Sequence, residues 1–342
     1  MPEIRCTNCG QPYPNQGVPY VCPACGGVYD YDAPPEFSLD SVDQSLPGYW
    51  RYQHTFSLMK DAPRVTLGEG NTPLIWEQRA GLEVGLKLES LNPTGSYKDR
   101  GSAVLVSQLL ARGVRDAVED SSGNAGASFA AYAARSGIRS RIFVPEAASG
   151  PKRAQIEMYG AELVCVPGPR SEAAKAVLEA AQHGSVYASH AYLPFSLPGI
   201  ATIAYEIWEQ LGRRSPGCLI APVGHGGLLL GIRRGFAALK NADLIDEEPY
   251  YLGVQAAACD PIVRASQRGL EAMKEAGESP TLAEGVRVRT PVRAKALLSE
   301  IPNGKGAFVA IQEEEIKAAY LSLGRRGIYV EPTSALVWAG LS

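Results

Sequence analysis

Residues 92–101 read NPTGSYKDRG, a turn-rich stretch that sets a lysine, Lys98, directly before an Asp99–Arg100 pair. Before it, residues 81–89 (GLEVGLKLE) alternate as a strand. After it, residues 102–112 carry apolar side chains at helical spacing. The pattern then repeats along the chain. Strands are expected at 117–120, 141–144, 162–166, 186–188, 218–223, 251–255, 307–311 and 328–330. Helices are expected at 127–136, 152–159, 172–182, 200–211, 228–239, from Pro261 onward and at 313–323. Strands that alternate with helices of about ten to fifteen residues predict an α/β fold with mostly parallel sheets flanked by helices. No internal repeat is visible. Residues 67–74 (LGEGNTPL) read as a loop entering a strand or short turn, and 241–248 and 269–280 as polar surface connections.

The chain has 342 residues, enough for two domains and a large core. With 45% hydrophobic and 20% charged residues its composition is that of an ordinary globular protein. A net charge of −3 argues against nucleic acid or an anionic membrane surface as partner, since either calls for a basic excess. No apolar run approaches the roughly 18 residues of a membrane span. The opening MPEIRCTNC lacks the hydrophobic segment of a signal peptide, so a cytoplasmic location is expected.

Four of the seven cysteines, Cys6, Cys9, Cys22 and Cys25, form two C-x2-C pairs, each followed by glycine. Four thiolates closing on one ion make the tetrahedral, fully occupied site of a structural zinc, so a zinc ribbon is expected over residues 1–32. A ribbon that folds without metal is the alternative. Cys165, Cys218 and Cys259 sit in apolar surroundings and read as small buried hydrophobes. Residues 31–63, rich in Pro, Asp, Tyr and Ser, read as a linker that wraps onto the main body.

Three stretches carry candidate chemistry. A lysine that is to form a Schiff base must be deprotonated, which desolvation or a nearby cation such as Arg100 promotes. The plainer reading of Lys98, and the one favoured by these residues taken alone, is a surface lysine in a salt cluster. Ser121-Ser122-Gly123-Asn124-Ala125-Gly126 falls between a strand end and a helix start, where backbone N–H groups suit a carboxylate. Simple helix capping by Ser or Asn is the commoner meaning of such a loop. Gly224-His225-Gly226-Gly227 follows the apolar strand LIAPV, and glycines there let the backbone close on a phosphate. It is neither a Walker loop nor a dinucleotide fingerprint. His225 reads as a loop residue rather than a general base, and His54, His183 and His190 have no evident partners.

The order of these stretches resembles the fold type II (tryptophan synthase β-like) family of pyridoxal-phosphate enzymes, and within it the threonine synthases. The resemblance is carried by the cysteine ribbon, WRY at 50–52, LGEGNTPL, NPTGSYKDRG, SSGNAGAS, YGAELV at 159–164, VGHGG and EPTSA at 331–335. It implies that Lys98 carries pyridoxal phosphate as a Schiff base and shuttles protons, and that Asn124 bonds the ring oxygen. It implies further that Gly224, His225, Gly226 and Gly227 hold the phosphate, and that Ser121, Ser122 and Gly123 grip the substrate carboxylate, with Thr94 and Ser96 lining the pocket. The implied reaction is lysis of O-phosphohomoserine with water to threonine and phosphate. Serine/threonine dehydration, a β-replacing cysteate or cysteine synthase and a non-catalytic paralogue stay open, the first because TLAEGVRVRTP (281–291) fits a dehydratase-like pattern. Lys152, Arg153 and Arg100 are candidates for the substrate phosphate. The implied organisation is a ribbon (1–32), a linker with the first part of a large domain (33–92), a small mobile α/β domain (93–182) and the remaining large domain (183–342), in a homodimer. A chain ending at Ser342, in mid-helix, lacks the later strand whose Thr or Ser meets the pyridine nitrogen, so lower stability than that of a longer form is expected.

Overall fold

The computed structural model describes residues 2–147, 150–168 and 170–341. Two short antiparallel strands, β1 (Ile4–Cys6) and β2 (Tyr29–Tyr31), frame the cysteine segment. A hairpin follows, β3 (Leu74–Arg79) and β4 (Leu82–Lys87). The alternating part then runs α1 (Lys98–Ala111), β5 (Asp116–Glu119), α2 (Asn124–Ser136), β6 (Arg139–Pro145), α3 (Pro151–Met158), β7 (Glu162–Val166), α4 (Arg170–Gln182) and β8 (Val186–Tyr187). It continues through α5 (Leu197–Gln210), β9 (Cys218–Pro222), α6 (Gly227–Asn241), β10 (Tyr250–Ala256), α7 (Pro261–Arg268), α8 (Ala294–Glu300), β11 (Gly306–Ile311), α9 (Glu313–Arg325) and α10 (Pro332–Ala339). The fold is α/β, with each main sheet parallel throughout.

The chain packs as two compact units, one of residues 1–73 and 88–203, the other of 74–87 and 204–342. These boundaries differ from those expected from sequence. Within the linker expected to wrap onto the main body, residues 48–56 pack inward: Tyr49, Trp50, Tyr52 and Phe56 are fully buried in the first unit, and the Tyr49 hydroxyl donates to the Arg100 carbonyl at 2.8 Å. The hairpin β3–β4 belongs instead to the second unit, where Lys87 Nζ pairs with Glu206 at 2.7 Å and Val84 and Leu86 reach the core.

In the first unit the strand order is β7-β6-β5-β8. The chain steps outward from β5 to β6 to β7 and then returns to the other side of β5, so the order reverses between β5 and β8. In parallel sheets the crevice for ligands opens at that reversal, beyond the carboxyl ends of the strands. α1 is buried almost all round, from Asp99 to Leu109, and packs on α2 through small residues, with the Ser102 and Ser128 hydroxyl oxygens 2.8 Å apart. The alanines of α2 favour helix and permit that close approach. Gly137 ends α2 in the left-handed conformation.

In the second unit the sheet order is β11-β10-β9, with Val254, Ala256, Ile311, Ile316, Leu336 and Trp338 in its core. Residues 328–330 do not form the expected strand. Ile328 and Val330 pack on this core while Tyr329 is exposed, so the period-2 pattern is met without a partner strand. α10 ends at Ala339, and Ser342 lies outside the described residues. Cys259 is buried as expected, whereas Cys165 and Cys218 are exposed, Cys165 beneath the Arg153 guanidinium of α3 at 3.3 Å and Cys218 as the first residue of β9.

Candidate active site

Lys98 is the first residue of α1, not a residue of the preceding loop. Its neighbours do not form a surface salt cluster. The Asp99 carboxylate is buried and accepts the Thr94 N–H at 2.7 Å, the Thr94 hydroxyl at 2.6 Å and the Ser128 hydroxyl at 2.6 Å. Burial pushes its pKa up against the pull of these bonds. Arg100 is fully buried and grips Glu89 with two N–H groups, each at 2.7 Å. It also donates to Thr202 at 3.0 Å and Thr72 at 3.2 Å. Arg100 is therefore committed to structure and does not serve as a substrate-phosphate cation. Lys98 Nζ lies 4.9 Å from the centre of the Tyr97 ring.

The loops around Lys98 are wired to one another. Asn92 Oδ1 accepts the Gly70 N–H at 2.9 Å. Buried Glu69 accepts from Trp50 Nε1 at 2.7 Å and from the Tyr132 hydroxyl at 2.6 Å. Thr94 spends its hydroxyl on Asp99, and Ser96 Oγ accepts the Lys98 N–H at 3.3 Å, so both brace the turn that delivers the lysine. Lys152 Nζ donates to the Thr94 carbonyl at 2.9 Å from the start of α3. Arg153 faces Glu157 at 3.6 Å and the Glu146 carbonyl, on the outside of that helix.

The β5–α2 loop lies at the carboxyl edge of the first sheet. Gly123 is the N-cap of α2 and no side chain caps that end, so the expected Ser or Asn capping is not what the loop is for. A Cβ on Gly126 would fall 1.8 Å from the Ser121 carbonyl oxygen, which only glycine allows. A Cβ on Gly123 would meet nothing nearer than Ser121 Oγ at 3.8 Å, leaving room for a group to approach the backbone. Ser121 itself turns inward. Its N–H donates to Glu119 Oε2 at 2.6 Å and its Oγ accepts the Gly123 N–H at 3.2 Å. The open part of the loop is thus Ser122, Gly123 and the first turn of α2.

Sequence reasoning passed over Glu119 and left His190 without a partner. Glu119 Oε1 lies 3.0 Å from His190 Nδ1 although the two are 71 residues apart. Pairing of β5 with β8 brings them together, and no local spacing signals it. Burial pushes the Glu119 carboxyl up to about 7, against the Ser121 N–H and the positive charge of Lys98. Burial, then the charge of Lys98, push His190 well below its usual value. Asp120 accepts the Tyr187 hydroxyl at 2.7 Å.

In the second unit, the loop after β9 leads into α6 through Gly226, which is left-handed at φ 95° and caps the helix without a side-chain bond. A Cβ on Gly224 would meet the Gly285 carbonyl oxygen at 3.1 Å, and one on Gly285 would meet Thr333 Oγ1 at 2.9 Å. The Gly285 N–H donates to that Thr333 hydroxyl at 3.1 Å. The stretches TLAEGVRV and EPTSA are thereby assembled around the glycine loop. Buried Gln255 donates to the Val223 carbonyl at 3.0 Å and accepts the Ile262 N–H at 2.8 Å, fixing the end of β9. The His225 carbonyl accepts the Arg293 N–H at 3.0 Å.

A family model described as pyridoxal-phosphate dependent enzyme matches residues 65–342. The chain belongs to that family. Threonine synthase from Methanocaldococcus jannaschii is 37% identical over 98% of this chain and 86% of the relative. Threonine synthase from Methanosarcina acetivorans is 33% identical over 100% and 86%, and that of Mycobacterium bovis 35% over 85% and 80%. Among solved structures, a threonine deaminase from T.th. matches with a TM-score of 0.67 and 29% identity, over 79% of this chain and 86% of that one.

Each unit, taken by itself, suits a part of the family's cofactor: in the first an amine starts a buried helix, and in the second an uncapped glycine helix end offers N–H groups that suit a phosphate. The fit of a metal to the ribbon is equally direct. The sulfurs of Cys6, Cys9, Cys22 and Cys25 all lie within 4.8 Å of one another. A Cβ on Gly27 would fall 2.6 Å from Cys6 Sγ, so the chain closes tightly on that sulfur. Burial alone would raise the Cys22 thiol, yet the Ala24 N–H, the Tyr29 hydroxyl and Cys9 outweigh it and bring it to about 6.

Proposed function

We propose that this pyridoxal-phosphate dependent enzyme is a lyase of the threonine synthase type, converting O-phosphohomoserine and water to threonine and phosphate. The observation that carries this reading is Lys98 at the head of buried α1, next to a β5–α2 loop open at Ser122 and Gly123. The curated threonine synthases matched over nearly the whole chain supply the substrate class.

Lys98 would hold the cofactor's aldehyde carbon, the amides of Gly224, His225, Gly226 and Gly227 its phosphate, and Asn124 its ring oxygen. Bound there, the cofactor supplies an electron sink for charge developing on the substrate. The chain's own work is positioning and proton transfer. Ser122, Gly123 and the first N–H groups of α2 would receive the α-carboxylate, with Ser121 holding the loop in shape. Lys98 Nζ would take the substrate's α proton and return it. Lys152, braced on the Thr94 carbonyl, is the cation we place at the substrate phosphate. Motion of the segment 93–182 would shut water out. The cysteine ribbon would hold one structural zinc, and the working form would be a cytoplasmic homodimer.

Dehydration of threonine or serine is the second reading, favoured by the likeness to the threonine deaminase. Steady-state assays separate the two. Phosphate release from O-phosphohomoserine without ketoacid from threonine or serine supports the synthase; the reverse result overturns it. A protein that stays colourless with added pyridoxal phosphate would favour a non-catalytic paralogue.

A further inference from the structure

The cysteine ribbon and the β5–α2 loop belong to the same unit, and a run of side-chain contacts joins them. β8 is two residues long and pairs with β5 through Ala117 and Val118, with the Ala188 N–H adding a bond to the Val118 carbonyl at 2.8 Å. So short an edge strand is weak without cover, and this one borders the reversal of strand order. Cover comes from the stretch between the two cysteine pairs. Tyr20 stands edge-on to Tyr187 of β8 at 5.3 Å and to Tyr192 at 5.5 Å, and it packs on the core of Val118, Phe143 and Val177. The same stretch has a second seat. The Arg112 guanidinium, just past the end of α1, donates to the Pro14 and Gly17 carbonyls at 2.8 and 3.1 Å and lies over the Tyr13 ring at 4.9 Å.

From Tyr187 the contacts run on to the loop. The Tyr187 hydroxyl donates to Asp120 Oδ1 at 2.7 Å, and Asp120 directly precedes Ser121. Burial pushes Tyr187 well above the usual tyrosine range, so its hydroxyl keeps the proton and donates whether Asp120 is charged or neutral. The Ser121 N–H is itself taken by Glu119 at 2.6 Å, so the turn is held through both residues that lead into it.

We propose that the cysteine ribbon is a positioning element of the amino-acid site: Tyr20 holds Tyr187, Tyr187 holds Asp120, and Asp120 sets the backbone from which the turn 121–123 departs to meet the substrate carboxylate. A turn ordered in advance spares the binding step the cost of ordering it, so a loosened Asp120 weakens binding more than it slows the chemistry. The carboxylate's place at Ser122 and Gly123 rests on the function proposed above, whereas the contacts from Tyr20 to Asp120 do not.

Three variants of the full chain, loaded with pyridoxal phosphate, test this. Tyr20→Ala removes the cover, Tyr20→Phe retains the ring, and Tyr187→Phe keeps the packing but drops the bond to Asp120. Amides of residues 121–126 should exchange with solvent at least about tenfold faster in Tyr20→Ala and Tyr187→Phe, and at the wild-type rate in Tyr20→Phe. Titration with L-threonine, followed by the cofactor's visible band, should give a Kd raised about five- to tenfold in the first two and within about twofold of wild type in Tyr20→Phe. KM for O-phosphohomoserine should rise by a similar factor, with kcat changed less than about threefold. Combining Tyr20→Ala with Tyr187→Phe should add little to the larger single effect, because both act through one contact.

If Tm falls in Tyr20→Ala while exchange at 121–126 and the threonine Kd stay within about twofold of wild type, the ribbon only stabilises the unit and the proposal is overturned. Effects that multiply in the double variant also overturn it. Tyr187→Phe keeps the ring and decides the matter even where Tyr20→Ala does not fold. A wild type that neither binds threonine nor consumes O-phosphohomoserine sinks the proposed function, and the exchange rates then still decide whether the ribbon holds the turn.

Discussion

Replacing Arg100 by alanine should destabilise the first unit by about 3 kcal/mol, which separates a buried structural cation from the surface salt cluster that the letters K-D-R suggest. The side chain is fully buried and makes two 2.7 Å bonds to the Glu89 carboxylate, with further bonds to Thr202 and Thr72. Truncating one partner of a buried pair costs roughly 3–5 kcal/mol, because the other charge is left without compensation. The lower end applies, since the Glu89 side chain is 17% exposed and keeps Thr72 at 2.7 Å and Asn92 at 2.9 Å as donors. For a unit of this size that corresponds to a fall in Tm of about 6–12 °C. Arg100→Lys keeps the charge but not the two-pronged geometry and should lose about 1–2 kcal/mol. Urea unfolding followed by circular dichroism on the full chain reads the midpoint and slope. A cycle of Arg100→Met, Glu89→Met and the double variant should give an interaction energy of about 2 kcal/mol or more, with the double variant recovering much of the loss. A midpoint change for Arg100→Ala equivalent to less than about 0.5 kcal/mol, or an interaction energy near zero, would refute the argument and return Arg100 to the surface-charge reading.

Gly126→Ala sets a Cβ 1.8 Å from the Ser121 carbonyl oxygen and should cost about 1–3 kcal/mol in thermal stability, whereas Gly123→Ala, clear to 3.8 Å, should leave Tm within about 1 °C and weaken substrate binding instead. Equal effects of the two on Tm would contradict the geometry. Glu119, with its folded pKa raised to about 7 from its ordinary value of 4.5, contributes stability that is fully present below about pH 4.5 and is lost as pH rises through 7. Glu119→Gln should therefore gain on the wild type by up to about 3 kcal/mol between pH 4.5 and pH 8, and a difference that stays flat across that range would show the raised pKa to be wrong. Treatment with a strong chelator, or replacing Cys22 by Ser, should release the one zinc per chain proposed for the ribbon, measured by plasma emission. It should also lower Tm, because Arg112 donates to the Pro14 carbonyl at 2.8 Å and Tyr20 packs on Tyr187 at 5.3 Å. An unchanged Tm after full metal loss would make the ribbon independent of the unit. Lys98→Ala should abolish the visible absorption band that the wild type acquires with pyridoxal phosphate, and a retained band would remove Lys98 from its assigned place.

The fold was legible because its signals are local. Apolar spacing switches between two residues and nearly four, and most elements expected between residues 102 and 323 recur with their ends shifted by a few residues, whereas β1, β2 and α8 were not anticipated. The failures have physical causes of the opposite kind. Residues 328–330 alternate as a strand does, but a strand also needs a partner edge, which the pattern of one segment cannot reveal. Cys165 and Cys218 are apolar in sequence context, yet they are exposed near the ends of short strands. Glu119 and His190 escaped notice because a sheet reversal, β5 beside β8, creates the contact. The ribbon, by contrast, needs only two short pairs of cysteines and the antiparallel closure of β1 on β2, and four sulfurs do gather.

The lysine shows why a motif can mislead when read by charge alone. Followed directly by Asp99 and Arg100, Lys98 looks neutralised in sequence, and a lysine so paired would make a poor nucleophile. Folding diverts both neighbours. Asp99 turns to Thr94 and Ser128, Arg100 turns to Glu89, and no salt bridge to Lys98 forms among the described residues. The same bonds fix the backbone on either side of Lys98, so the point from which its side chain reaches out is set on folding rather than on binding, where ordering it would cost affinity and rate. Asp99 and Arg100 belong to the motif for that reason. They brace the segment that carries the lysine while pairing with residues other than the lysine, a division of labour that requires buried Ser128 and half-buried Glu89, neither of which the sequence places beside it.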